Sequence, residues 1–581
     1  MMRKRRGFKE DIQRAAEPYE IFIDEKEKFR GAKEDKALTN AFSDRYEIIR
    51  PEGTVNDPDM IKRFAHYAAE GDYDLLFCDD DIVKNGKRVR PFFKPPFAPE
   101  TAEAYGNYFS AAAVKKDILK DGRIKMSYLD PVKVKHIPEV LCHYVKSRPV
   151  IKNPADRAEL DCSMADSCSL SIVILSKDHP ELLKMCLESL RKADLPEQTE
   201  VLVIDNGSSR ENRTIYRKLI KETGAEYFVA PMDFNYSKLN NYGVKRTFGD
   251  YLLFLNDDIE IPEESADFAK RLITYASREH VGAVGMKLLY PGGNLIQHCG
   301  ITLLKSGPSH KLCGYNDDES YYHGINKRNV NFLAVTGACL CVKRELFEGE
   351  NGFDENLPLA YNDVDLCVRF AEKGLYNVCI NDTFLYHHES ASRKDDRENV
   401  GSYLKLKEYS RYFYGKHRDY LKDGDPFYNE NLTFTGLDYR INIPLRWEIS
   451  GVEKEPVLKD FTERRTGDVM RSNVDFAGYR LNDAYGNEDF FEVSGWIFYE
   501  KKDVARFEPA VMIVNGDITA VYSAVRVFRR DVEEAFKKQL NACMAGFYTR
   551  IAHASLEREG LTGRLRIIPV LLDRKGTVYV E

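Results

Sequence analysis

The sequence predicts an α/β protein: a mainly parallel, Rossmann-like sheet, preceded by a shortened α/β region and followed by a β-sandwich. Three observations predict it. From Leu170 onward, short apolar runs alternate with helical patterns, as in parallel βαβ units. Several of these runs end in polar side chains, where an open α/β sheet places its ligands. Beyond residue 450 the alternation gives way to paired strand patterns around turn residues.

At 581 residues the chain suits three or four domains of about 150 residues each. The expected divisions are 1–155, 165–435 and 450–581. Hydrophobic residues make up 43% and charged residues 31%, the balance of an ordinary globular protein. A net charge of -7 and a pI near 6.1 lack the basic bias of a nucleic-acid binder, so no nucleic-acid partner is expected. The twelve cysteines show no zinc or CxxC spacing and read as reduced cytosolic thiols. No window approaches the ~20 apolar residues of a membrane span. The basic start Met1 to Arg6 runs into charged residues, not an apolar core, so it is not read as a signal peptide. It reads as a solvated terminus, or as a contact with an anionic membrane surface.

Residues 1 to about 40 are charge-dense and predict a helix or partly disordered arm. Leu75 to Cys78 is an apolar strand running into Asp79, Asp80 and Asp81, and Asn85-Gly86 marks a hairpin turn. The proline-bearing run Pro91 to Pro99 predicts extended loop. His136 to His143 is a further strand. A strand ending in acids and a later strand ending in His echo the pattern of the next domain, so this region reads as its shortened copy. Residues 153–169 suit a linker.

Leu170 to Leu175 is then a buried strand, and Pro180 suits the first turn of a helix carrying Leu183, Cys186, Leu187 and Leu190 on one face. Val201 to Ile204 is a strand ending in Asp205, and Tyr227 to Val229 is another. A helix over about Tyr236 to Thr247 leads into the run Tyr251 to Leu255, which delivers Asn256, Asp257 and Asp258. A helix over Glu263 to Ser277 and a strand over Val281 to Val284 follow. Phe332 to Val342 is a strand broken at Thr336-Gly337-Ala338. Asn362 and Asp363 open a helix through Glu372, and Phe384 to Tyr386 ends in His387 and His388. A long helix, about Gly401 to Tyr420, closes the unit. In the last segment Asn515-Gly516 and Asp573 to Gly576 mark hairpins, and a helix falls around Asp531 to Leu540.

Polar groups at successive αβ junctions, namely Asp205, Asn256 to Asp258, Asn362/Asp363 and His387, converge on one sheet edge. Any one of them alone reads as an acidic turn, a first-turn acid favoured by the helix dipole, or an ordinary core Tyr-His pair. Hard oxygens clustered after Leu255 suit Mg²⁺ or Mn²⁺, and through it a diphosphate. No P-loop, GxGxxG or GxSxG pattern competes.

Leu170 to about Leu421 resembles glycosyltransferase family 2. The resemblance rests on Ser171 to Asp178, Val203 to Ser209, Phe234 to Asn241, Leu253 to Asp258, Val335 to Leu340, Gly352 to Glu355, Asn362 to Cys367 and His387 to Arg393. It implies the GT-A fold, a mixed, mainly parallel sheet. It is strongest toward bacterial enzymes that build rhamnan, O-antigen and other surface polysaccharides, in which a truncated transferase-like half precedes the active domain.

The resemblance also implies roles. Asp205 would receive the nucleotide base, with Leu175, Ser176 and Asp178 lining its pocket. Asn241, Asn256 and Asp257 would serve the donor. Asp258 and His387 would ligate the Mg²⁺ or Mn²⁺, His388 being the less favoured histidine. Thr336, Gly337 and Asn362 would face the acceptor, and Asp363 would be the general base. Asn256 replaces the first Asp of the family's Asp-x-Asp, Asn362 replaces Glu, and Lys394 stands where Gly is expected. The implied reaction is an inverting single displacement from a nucleotide-diphosphate sugar to a hydroxyl of a glycan or lipid-linked glycan. Arg446-Trp447 lacks the Gln of processive synthases, Ile443 standing in its place, so non-processive action is expected. The expected setting is cytoplasmic, peripheral at the inner membrane face, alongside other polysaccharide-assembly enzymes. The competing reading is a catalytically inactive transferase fold that binds a glycan or scaffolds other enzymes. The sandwich is also readable as a carbohydrate-binding module.

Overall fold

The protein is described here by a computed structural model covering residues 36–106, 108–119, 130–148, 160–304, 307–388, 400–434, 436–442 and most of 453–580, with Tyr19, Phe22 and Ile23 besides. Most of the expected N-terminal arm lies outside these residues, as do residues 153–159 of the expected linker, Glu389 to Lys394 and Ile443 to Trp447. The chain forms two compact units, Met1–Ile443 and Pro444–Glu581. Among the described residues no helix is long and apolar enough to cross a membrane.

The first unit is centred on a ten-stranded sheet. Its path runs Ile259–Glu260, Tyr376–His387, Val281–Leu289, Cys339–Lys343, Tyr251–Asn256, Ser169–Ser176, Gln198–Asp205, Glu226–Val229. The last four are mutually parallel, the arrangement predicted from the βαβ pattern. The other half is mixed, because Cys339–Lys343 is inserted antiparallel between Tyr251–Asn256 and Val281–Leu289. Leu252, Leu253, Phe254 and Leu255 are all buried, as a strand covered on both faces requires. The helix Pro180–Leu190 packs Leu183, Cys186, Leu187 and Leu190 inward, the face read from their spacing. Ser209 caps Arg210–Thr223 by accepting from Asn212 N, and the left-handed Gly224 ends that helix. Several elements differ in extent from their prediction: the strand expected over Phe384 to Tyr386 is Tyr376–His387, and the closing helix is divided into Val400–Lys416 and Arg418–Leu421. Tyr236–Val244 is shorter, the helix after Glu263 is a 3₁₀ turn followed by Phe268–Ala276, and Val281–Leu289 is longer.

The N-terminal region forms its own six-stranded sheet. Leu75–Lys84 pairs in parallel with Val134–Tyr144, antiparallel with Ala112–Lys115, and through the Asn85-Gly86 turn with Lys87–Phe92. Val281–Leu289 bears the same relations to Tyr376–His387, Cys339–Lys343 and Ile296–His298. The small sheet thus repeats the second half of the large one. Leu75–Lys84 corresponds to Val281–Leu289, not to the strand whose acids first suggested the echo. The expected loop holds over residues 93–98, between the strand Lys87–Phe92 and a short helix, Pro99–Tyr105, that Pro99 opens.

The acids Asp79, Asp80 and Asp81 do not follow their strand but lie inside it, fully buried. Each has cationic or histidine partners. Asp79 meets His136 Nε2 at 2.8 Å. Asp80 meets Lys94 Nζ at 2.7 Å and Arg148 Nε at 2.7 Å. Asp81 meets Arg88 Nε at 2.5 Å and His143 Nδ1 at 2.6 Å.

The N-terminal sheet and the ten-stranded sheet are joined through Glu100, which is 1% exposed. Its carboxylate accepts from Arg278 Nη1 (2.9 Å), His280 Nε2 (2.8 Å) and Asn331 Nδ2 (2.8 Å). Burial alone would raise its pKa. Hydrogen bonds from His280 and Asn331, with the charges of His280 and Arg278, outweigh burial and bring it down to about 2. A carboxyl lowered in the folded state stabilises fully above its unfolded pKa, and that stability is lost as pH falls through the folded value. Between pH about 4.5 and about 2, Glu100 is therefore expected to withdraw on the order of 3 kcal/mol. In acid titrations of unfolding, Glu100→Gln should flatten the pH dependence of the first unit in that window. An unchanged slope would refute this.

The second unit packs a five-stranded sheet against a four-stranded one, the sandwich architecture predicted. Val511, Ile513 and Tyr522 from one sheet meet Phe491, Val493, Ile497 and Phe547 from the other. Asn515 and Ile518 close the predicted hairpin over Gly516. The helix Arg530–Ala535 is shorter than expected, and most of the turn before Thr577 lies outside the described residues.

Candidate functional site

Parallel pairing sets the carboxyl ends of the central strands on one edge: Ser176 lies beside Asp205, and Leu175 beside Asn256. Leu175 is partly buried there. Asp205 is fully buried. Its Oδ1 accepts from Ser208 N (2.7 Å) and its Oδ2 from the Tyr227 hydroxyl (2.5 Å). Gly207, at φ 83°, turns the loop so that Ser208 N reaches back to that carboxylate. Asp178 sits in the left-handed region at φ 57°, which a short polar side chain tolerates. Its backbone N donates to Ser208 Oγ at 3.0 Å, and its carboxylate accepts from Ser209 N at 2.8 Å and Asn212 Nδ2 at 2.9 Å. Those hydrogen bonds hold its pKa below the usual carboxylate range. The two predicted loops are thereby locked together.

Ser176 Oγ links this pocket to the acidic turn by donating to Asp257 Oδ2 at 2.6 Å. Burial pushes Asp257 up to about 6, and the adjacent Asp258 charge adds to this against the pull of Ser176. Next to it, Asp258 Oδ1 lies 3.0 Å from His387 Nε2, and Asn256 Nδ2 lies 3.3 Å from the same nitrogen. The antiparallel pairing of Ile259–Glu260 with the end of Tyr376–His387 brings the two segments together. His388 turns away to Glu260 Oε2 at 2.7 Å. The Asp258 carboxylate and His387 Nε2 are groups that suit a divalent ion, which needs few protein ligands when phosphate oxygens and water complete its shell, while Asn256 turns its amide nitrogen toward that ring. They do not form a full protein cage, since among the described residues no group of three His, Cys, Asp or Glu side chains could hold a metal.

Asp363 lies in the first turn of Asn362–Glu372, where the helix dipole favours a carboxylate. Its Oδ2 accepts from Gly337 N at 2.8 Å and its Oδ1 from Val364 N at 2.8 Å. Asn362 Oδ1 accepts from Asp363 N at 2.8 Å, which commits the predicted acceptor-facing amide oxygen to the helix start. Tyr361, just before the helix, is held at φ 65°. Gly337 packs tightly: a Cβ there would fall 2.9 Å from the Tyr236 hydroxyl. That hydroxyl donates to Gly337 O at 2.8 Å. Thr336 Oγ1 accepts from Ala338 N at 3.4 Å and finishes the break between the two predicted half-strands.

The Asn241 amide, expected at the donor, is engaged with a neighbouring turn. Its Oδ1 accepts from Phe353 N (2.9 Å) and its Nδ2 donates to Phe353 O (2.9 Å), so both ends of the amide fasten the Gly352 to Glu355 turn. Asp365 likewise is structural. It is fully buried against His417 Nε2 (2.9 Å), Arg369 Nε (2.8 Å) and Lys416 Nζ (2.7 Å), tying down the closing helix. Sequence reasoning missed Tyr227, Ser208 and Gln297. Gln297 Oε1 lies 2.5 Å from His387 Nδ1. Only the polar break in Leu295 to Cys299 hinted at it.

Residues 171–348 match the family model Glycosyl transferase family 2. The chain is 29% identical over 67% of its length to the O-antigen biosynthesis protein RfbC of Myxococcus xanthus, covering 34% of that protein. It is 34% identical over 48% of its length to the uncharacterized protein y4gI of Sinorhizobium fredii, covering 31% of it. The chain thus spans about a third of the length of the curated relatives it matches. Among solved structures, it aligns with the mannosyltransferase PcManGT from Pyrobaculum calidifontis in complex with GDP-Man and Mn²⁺ at 13% identity. That alignment covers 47% of this chain and 67% of the other, at a TM-score of 0.32. TarS of S. aureus aligns at 12% identity, 71% and 77% coverage and a TM-score of 0.31.

Proposed function

We propose that this chain is an inverting, non-processive glycosyltransferase. It moves a sugar from a nucleotide-diphosphate donor to a hydroxyl of a growing surface glycan or lipid-linked glycan. One observation carries the reading. On the sheet that carries the family 2 match of residues 171–348, the Asp258–His387 pair and the Asp363 carboxylate stand on the same edge, beside the locked Asp205 and Asp178 loops. Asp258 and His387, with Asn256 beside them, would hold Mg²⁺ or Mn²⁺. Bound there, the ion supplies the positive charge that a departing diphosphate needs.

The chain's own residues do the rest. Ser176, Asp178 and Asp205 shape the pocket for the nucleoside, and Asp257 is joined to it through Ser176. Asp363 receives the acceptor's proton as the hydroxyl oxygen attacks the anomeric carbon. A carboxylate suffices because the hydroxyl becomes acidic only as the bond forms. The relation to an O-antigen biosynthesis protein supports a surface-glycan acceptor and work at the inner membrane face beside other assembly enzymes.

The test is a screen of nucleotide sugars with Mn²⁺ or Mg²⁺ for thermal stabilisation and hydrolysis. A true donor at 100 times its dissociation constant adds about 2.7 kcal/mol to the unit that binds it. Asp258→Ala is expected to abolish both the stabilisation and the hydrolysis. If no nucleotide sugar stabilises or is hydrolysed by the wild-type protein, the reading fails and a non-catalytic glycan-binding role takes its place.

A further inference from the structure

We infer that Gln297 is the positioning residue that fixes the ring orientation and tautomer of His387, so that His387 presents its Nε2 lone pair beside Asp258. The inference rests on the metal-assisted reading above. Gln297 is 7% exposed and lies on the short strand Ile296–His298, which pairs with the end of Val281–Leu289. The register of that pairing shifts between Leu288 and Leu289. Such irregularities re-aim side chains. Here the amide crosses to the tip of Tyr376–His387, the other neighbour of Val281–Leu289, and places Oε1 2.5 Å from His387 Nδ1.

An amide oxygen can only accept, so Nδ1 carries the proton and Nε2 is left with its lone pair. A second contact agrees. Asn256 Nδ2, a donor, faces Nε2 at 3.3 Å. Nε2 also lies 3.0 Å from Asp258 Oδ1, so a cation that displaced the Asn256 contact would meet the lone pair and the carboxylate together. Ligating histidines commonly donate their other N–H to such an acceptor, and loss of that partner costs about 10–100-fold in metal affinity. His388, which faces Glu260, has no such arrangement toward Asp258.

The test compares wild type, Gln297→Leu and Gln297→Glu in the full chain. Mn²⁺ is titrated by electron paramagnetic resonance with UDP or GDP present. The imidazole ¹⁵N shifts of His387 are read without metal. The leucine variant is expected to bind Mn²⁺ about 10–100-fold more weakly and to lose the pure Nδ1–H tautomer. The glutamate variant keeps an acceptor and should restore both. Should the leucine variant not fold, Gln297→Met, which keeps the length without the amide, takes its place. Equal Mn²⁺ affinity in wild type and the leucine variant overturns the role of Gln297 alone. So does equal weakening in both variants, which would mark a packing effect. A wild-type protein that takes up no Mn²⁺ with either nucleotide overturns the metal-assisted reading and this inference together.

Discussion

Replacing Asp363 with Asn is expected to stop transfer while leaving nucleotide binding in place. The asparagine oxygen can still accept from Gly337 N or Val364 N, the two backbone groups that hold the carboxylate, so the helix start should persist. What it cannot do is take a proton. Positioned general bases contribute about 10²–10⁴-fold, which is roughly 3–5.5 kcal/mol of barrier. The expected result is a fall of that size in kcat with an unchanged thermal shift from nucleoside diphosphate. A variant that retains more than a tenth of wild-type turnover would remove Asp363 from the base's role. Loss of the thermal shift would instead show that the residue supports the pocket.

Lys94→Met should be the most damaging single change in the N-terminal sheet. The ammonium is fully buried and meets Asp80 Oδ2 at 2.7 Å, Cys78 O at 2.6 Å and Ser110 Oγ at 2.6 Å. Removing one partner of a buried pair costs about 3–5 kcal/mol, because the other charge is stranded in a medium of low polarity. Asp80 would keep only Arg148 as a charged partner among those that hold its pKa down to about 2 against burial. The urea midpoint of the first unit should fall accordingly. The double change Lys94→Met with Asp80→Leu should recover much of the loss, since no charge is then stranded. A double variant no more stable than the single one would show that Lys94 acts through packing and its other hydrogen bonds.

The same triplet shows where sequence reading stops. Leu75 to Cys78 marks a strand from residues alone, yet nothing local says whether Asp79 to Asp81 leave the sheet or remain inside it. That depends on Lys94, Arg88, Arg148 and the two histidines, which reach them from other elements. By contrast, the burial of Leu252 to Leu255, the inward face of Pro180–Leu190 and the hairpin at Asn515-Gly516 follow from periodicity and turn chemistry. That Asp258 and His387 share one sheet edge was legible from the alternating strand pattern, but not their 3.0 Å contact across 129 positions of sequence, which rests on the pairing of Ile259–Glu260 with Tyr376–His387. The partners of Asn241 were likewise hidden from the local sequence: its amide exchanges two hydrogen bonds with Phe353, 112 positions away.

The strand Tyr376–His387 runs between these two worlds. Twelve residues at about 3.3 Å each make a rod of roughly 36 Å between its first and last Cα. At its start, Tyr376 N donates to His280 O, and Asn377 pairs through backbone with Phe332, next to the Asn331 that grips Glu100. At its far tip stands His387. Through Glu100 and Asn331 the shortened copy is thus bonded next to the root of a strand whose other end, a full strand-length away, carries the imidazole.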